Sequence, residues 1–297
     1  MAWRGLHLTQ AARLSLADHQ MVVAQGEGEV RLALEDLAWV VIDTPQATLT
    51  TALLSACMQA GIALVMTDAA HTPSGLALPF HRHHRQAHIA NVQADASLPL
   101  KKRLWQIIVQ AKIRNQAASL RAGGIAPGAL PAMAELVGSG DPDNVEARAA
   151  RTYWRLLFPE FVRENADDRR NILLNYGYAV LRAAVARALV ASGLLPAFGL
   201  QHASASNAFN LADDLVEPFR PFVDRLVWRL SDSGRCKEGA PSLADRRALA
   251  ALPTEAAFLG AESVTLLVAS EQSAESLVRA FEAKSAALLK LPRLSDP

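Results

Sequence analysis

One stretch constrains the fold of this chain more than any other. Asn171 to Arg220 reads NILLNYGYAVLRAAVARALVASGLLPAFGLQHASASNAFNLADDLVEPFR. Apolar residues at Ile172, Leu174, Tyr178, Leu181, Val185 and Leu189 recur at helical spacing and stop at Gly193. A loop punctuated by Gly and Pro then delivers His202, and a second helical run carries Asp213, Asp214 and Glu217. An imidazole between two apolar helices, followed by three carboxylates, is costly unless those groups find a partner, a counter-charge or a metal. The pattern reads as half of a divalent-metal site, with a further carboxylate upstream.

The rest of the chain divides by pattern and by charge. Up to about residue 80 the periodicity is mostly two. Leu14, Leu16, Met21, Val23, Val30, Leu32 and Leu34 alternate with polar neighbours, and Ala38–Asp43 reads as a more buried strand. Thr48 to Ala60 has helical spacing and ends at Gly61, and Ile62–Asp68 returns to strand. Pro73, Gly75 and Pro79 read as a connector. Beyond it the signals are helical: residues 81–93, 99–124 and 138–158, with Asp141 or Asp143 capping the last, and an Ala-rich tail from Ser231. The expectation is therefore α+β: a small β-rich N-terminal domain over 1–80 with one helix, then a larger all-α-helical domain over 81–297.

Residues 1–80 hold three Lys/Arg against seven Asp/Glu, whereas residues 81–123 hold eight Lys/Arg against Asp95 alone. Such a block suits a polyanion, although a solvated helix face gives the same composition. Arg103, Arg114 and Arg121 fall within about 20° of one another on a helix, a row able to follow phosphates. Arg82, Arg85, Lys112 and, downstream, Arg220 are the other candidate DNA contacts, with Trp105 available to stack. His84 and His88 lie four apart, but no carboxylate or cysteine is near enough in sequence to make a metal site of them. No run of 18 uncharged apolar residues occurs, so no membrane span is expected. MAWRGLHLTQ lacks the apolar core of a signal peptide, and a cytoplasmic location is expected. Cys57 and Cys236 read as reduced thiols.

Glu146, near the start of its helix, has an ordinary explanation in the helix dipole. Together with His202 and Glu217 it would instead supply two carboxylates and an imidazole, a set that suits Mn2+ as well as Mg2+. Asp214 and Glu217 are three apart and share a face if the helix runs that far. Pro218 disfavours helical backbone at Glu217, which could otherwise cap a new helix with Pro218 in its first turn.

These residues resemble the CRISPR-associated spacer-acquisition integrase, the universal enzyme of CRISPR adaptation. The resemblance covers nearly the whole length: ARLSLADHQMVVAQ, LEDLAWVVID, GIALVMTD, VEARAARTYW, NILLNYGYAVLRAAV, the Gly199–His202 turn and DDLVEPFRP. It is most similar to the compact form that accompanies a single large RNA-guided effector nuclease. The resemblance implies that Glu146, His202 and Glu217 are metal ligands, with Asp214 the supporting acid and Asp213 its rival. It further implies a homodimer through the N-terminal domains, a small ferredoxin-like partner protein, and attack of a duplex 3′-hydroxyl on the CRISPR repeat; contact with the effector nuclease stays open. Two other readings use the same residues: a structure-selective DNA nuclease or resolvase, in which water replaces the hydroxyl, and a non-catalytic DNA-binding scaffold.

Overall fold

The computed structural model describes residues 2–295. Strands β1 (Arg4–Leu8), β2 (Ala12–Ala17), β3 (Gln20–Gln25), β4 (Gly28–Ala33), β5 (Leu37–Ile42) and β6 (Ala47–Leu49) precede helix α1 (Thr51–Ala60), which is followed by β7 (Ala63–Thr67) and β8 (Pro73–Ala77). They form two four-stranded sheets, ordered β4-β3-β2-β6 and β1-β5-β7-β8. In the second sheet β1, β5 and β7 run parallel and β8 antiparallel. Every residue of β5 is buried, as its unbroken apolar run implies for a strand covered on both faces. Val40, Ile42 and Leu64 pack towards α1 and the other sheet, while Trp39, Val41, Ala63 and Val65 pack into the helical body. The central sheet is thus shared by two cores. The segment around Pro73 and Gly75, expected to be a connector, is strand β8: Pro73 sits first in an edge strand, where its missing N–H costs no ladder bond.

The helical body comprises α2 (Gln86–Ala94), α3 (Leu98–Ala122), α4 (Leu130–Glu135), α5 (Val145–Leu157), α6 (Arg169–Ala191), α7 (Asn210–Val216), α8 (Arg220–Leu230), α9 (Leu243–Ala250) and α10 (Leu266–Glu282). It is not all-α. Strands β9 (Ala256–Leu259) and β10 (Glu262–Thr265) pair as an antiparallel hairpin within the tail expected to be helical. The alternation Ala257, Leu259 is too short and too Ala-rich to register against the surrounding helical pattern.

Helix α6 runs through the middle. By length and composition it could cross a membrane, yet 78% of its most apolar window is buried in the protein. Its two internal cations find acids, Arg182 pairing with Asp213 and Arg187 with Glu271, each at 2.6 Å. Gly177 lets α8 approach, because a Cβ there would lie 2.4 Å from Val223 Cγ1.

Candidate active site

Four elements meet where the sequence placed its carboxylates. Helix α5 is started by Asp141, not Asp143: its carboxylate accepts the Val145 and Glu146 backbone N–H groups at 2.8 and 3.0 Å. That cap sets Glu146 in the first turn, half-buried and pointing at α3. Glu217 follows α7 in a 3-10 turn, Glu217–Phe219, that leads directly into α8. Its backbone is helical (φ −54°, ψ −45°) despite Pro218, so the preference against helix before proline is overridden by the surrounding packing. Asn115 of α3 contributes, donating to the Pro218 carbonyl at 2.7 Å.

The Glu217 side chain is 7% exposed and faces two cations. Arg220 Nε donates to Oε1 at 2.8 Å, and the Arg220 guanidinium lies 4.5 Å over the Tyr178 ring. Lys112 Nζ is 2.5 Å from Glu217 Oε2 and 2.6 Å from Glu146 Oε1. Burial alone would raise the Glu217 pKa, but Arg220 and Lys112 outweigh it and hold the carboxyl down at about 2. Lys112 and Arg220, expected along a DNA backbone, are thus turned to the carboxylates. Their sequence signal, a positive charge in a basic neighbourhood, says nothing of direction.

His202 lies in the loop between α6 and α7, and Asp214 shapes that loop. The fully buried Asp214 carboxylate accepts the backbone N–H groups of Leu200, Gln201 and His202 at 2.5, 3.1 and 3.1 Å, and pairs with His202 Nδ1 at 2.7 Å. A carboxylate already taking three N–H bonds can serve the imidazole only as acceptor, so Nδ1 carries a proton and Nε2 is left for another partner. That bond raises the His202 pKa, and the Glu217 charge adds to the effect. Gly199 is required: a Cβ there would sit 2.2 Å from the His202 carbonyl and 2.8 Å from Asp214 Oδ2. Asp213 points elsewhere, bonded to Arg182 and Asn207. Trp105, expected to be free for stacking, is 3% exposed and sets its ring edge-on to His202 at 6.0 Å.

The donor set, two carboxylates and an imidazole with Nε2 available, suits a hard divalent cation. Buried Glu217 Oε2 has the Lys112 ammonium as its partner and takes no other hydrogen bond from the protein. Among the described residues no three His, Cys, Asp or Glu side chains converge as a finished cation site, and Lys112 stands between the two glutamates.

The remaining candidate DNA contacts are scattered. Arg103 and Arg114 are exposed on α3, Arg114 pairing with Glu135 at 2.9 Å, and Arg121 is half-buried at its end. Arg82 donates to the Gln59 carbonyl at 2.5 Å, and Arg85 pairs with Glu282 at 2.8 Å. His84 stacks on His83, and His88 lies 3.6 Å from Glu282.

Comparison with known proteins adds to this geometry. A family model described as CRISPR associated protein Cas1 matches residues 6–244. The CRISPR-associated endonuclease Cas1 of Neisseria meningitidis serogroup C (strain 8013) is 44% identical over 239 residues, 80% of this chain and 79% of that protein. In fold, the chain is similar to a casposase bound to integration product, with a TM-score of 0.77 at 19% identity, covering 95% of this chain and 91% of that one. It is also similar to a chain of a Cas6-RT-Cas1–Cas2 complex, with a TM-score of 0.74 at 18% identity, covering 99% of this chain and 36% of that one.

Proposed function

This chain belongs to the CRISPR associated protein Cas1 family, and from that premise we propose that it is a divalent-metal-dependent DNA endonuclease and integrase of CRISPR adaptation. It joins the 3′-hydroxyl ends of a short duplex to the CRISPR repeat. One observation carries the reading: Glu146 and Glu217, brought from α5 and from the α7–α8 turn, face one point beside a histidine whose Nδ1 is already committed to Asp214. Glu146, His202 and Glu217 would hold Mg2+ or Mn2+. When bound, the cation neutralises charge on the phosphate and polarises the attacking oxygen. The chain's own residues do the rest. Asp214 fixes the imidazole, Arg220 and Asn115 fix Glu217, and the Asp141 cap fixes Glu146.

Water is always available, so preference for a DNA 3′-hydroxyl has to come from positioning, where a bound end gains an effective concentration that water lacks. The likeness in fold to a casposase holding an integration product supports the choice of joining. The likeness to a chain assembled with Cas2 supports a small ferredoxin-like partner. A homodimer through the β-rich units and the compact form that accompanies an RNA-guided effector nuclease complete the proposal. Hydrolysis by the same site is the second reading, favoured by the relative's name as an endonuclease.

The test supplies the protein and its partner with Mn2+ or Mg2+, a repeat-bearing supercoiled plasmid and a labelled duplex. A duplex with free 3′-hydroxyls should become covalently attached, and one ending in 3′-dideoxynucleotides should not. Nicking in both cases without attached label would replace the integrase reading with the nuclease one.

A further inference from the structure

Lys112 touches both glutamates of the site, and neither a ligand role nor a DNA-backbone role accounts for it. Its side chain is 12% exposed, and its ammonium lies 2.6 Å from Glu146 Oε1 and 2.5 Å from Glu217 Oε2. An ammonium has three donors and no acceptor, so it cannot ligate a metal. A divalent cation bound at ~2.1 Å from those same oxygens would occupy the ammonium's own place and repel its charge. We propose that Lys112 is a built-in competitor for the divalent cation: it bridges the glutamate pair in the metal-free protein and must leave before the cation enters. This rests on the reading of Glu146 and Glu217 as cation ligands.

Physical chemistry supports both halves of the cycle. Two carboxylates aimed at one point repel each other, and Arg220 reaches only Glu217 Oε1. Without Lys112 nothing would draw the two carboxylates together; with it, they stay facing. The two contacts place the ammonium between both carboxylates at once. Entry of the cation then costs the breaking of two short ion pairs, and affinity is reduced by the fraction of molecules in which the bridge is open.

The experiment compares wild type, Lys112→Met, Lys112→Arg and Glu217→Gln by titration calorimetry with Mn2+ alone. Lys112→Met should bind Mn2+ about tenfold tighter than wild type or better, as expected when a bridge closed in some nine molecules of ten is removed. Its melting temperature in chelator should fall. Lys112→Arg keeps a cation and should show no such gain. A second readout uses unmodified protein, in case the variants fold poorly. Reductive methylation followed by mass spectrometry should leave Lys112 unmodified in chelator and modify it under saturating Mn2+. If wild type binds Mn2+ and Glu217→Gln does not, yet Lys112→Met binds no tighter and methylation is unchanged, the competitor role is overturned and the metal site stands. Failure of wild type to bind Mn2+, or equal binding by Glu217→Gln, would bring down the metal reading and this inference together.

Discussion

A carboxylate that accepts three backbone N–H groups and an imidazole N–H, as Asp214 does, organises a loop as much as it tunes a histidine. Asp214→Asn keeps one acceptor oxygen and turns an NH2 group towards donors. It should cost about 3 kcal/mol in urea unfolding, since buried N–H groups lose their partner. The His202 pKa, raised first by this bond, should fall towards its ordinary value in an NMR titration of the variant. The folded wild type holds that proton more tightly than the unfolded chain. This part of its stability is therefore present below about pH 6.5 and lost as pH rises through the raised value; in Asp214→Asn it should vanish. An unshifted His202 would show that the bond does not control it. Glu146, His202 and Glu217 stand out in the sequence as a candidate set because their order and the DLVEPFRP context are distinctive. Lys112 does not, because its carboxylate partners are remote in sequence and become neighbours only when α3, α5 and the α7–α8 turn pack together.

Helix α3 carries two faces with different work. One side buries Leu104 and Ile108 and sends Lys112 and Asn115 to the Glu217 turn. The other exposes Arg103, which with Lys284 lines a groove of about 690 Å³, and Arg114, some 16 Å further along. Replacing Arg103 and Arg114 by alanine should weaken binding equally for unrelated duplexes. It should also lower the slope of log K against log salt by about one unit per lost phosphate contact; an unchanged slope would remove these two residues from the DNA path. The helical period made α3, α5 and α6 readable in the sequence. The β9–β10 hairpin and β8 were not readable, the first because four-residue strands carry too little alternation, the second because Pro73 and Gly75 look like a turn until β7 is beside them.

The β-rich unit and the helical body are joined by polar bonds as well as by their shared sheet. Asp43, at the end of β5 and fully buried, accepts from His7 of β1 at 3.0 Å, His71 at 2.7 Å and Arg246 of α9 at 2.8 Å. Trp39 donates to the Ala250 carbonyl and Arg187 to the Gly61 carbonyl, at 3.0 and 2.8 Å. Burial alone would lift the Asp43 pKa, but the bonds from Arg246, His71 and His7 outweigh it and lower the value; burial lowers that of His7. Both shifts have one sign. As pH falls the unfolded chain takes up protons first, at His7 below about 6.5 and at Asp43 below about 4, and stability drops in each window. Asp43→Asn should therefore show a shallower loss of stability than wild type below pH 4, and His7→Gln a shallower one between pH 7 and 5. Asp43→Ala, which strands Arg246, should cost about 3–5 kcal/mol. Parallel curves for wild type and variants would sever this link. The two-part organisation was readable from the change of period near residue 80; the seam was not, because Asp43 and Arg246 have no pattern to connect them.

The shared sheet also has a consequence during synthesis. The ribosome releases the strands first, at ~5–20 residues per second. For the seconds before α6 and α9 emerge, the Trp39, Val41, Ala63 and Val65 face is a bare apolar surface with nothing of its own chain to cover it. A nascent chain in that condition is a natural client for chaperones, and slowing translation after α1 and β7 would prolong its exposure.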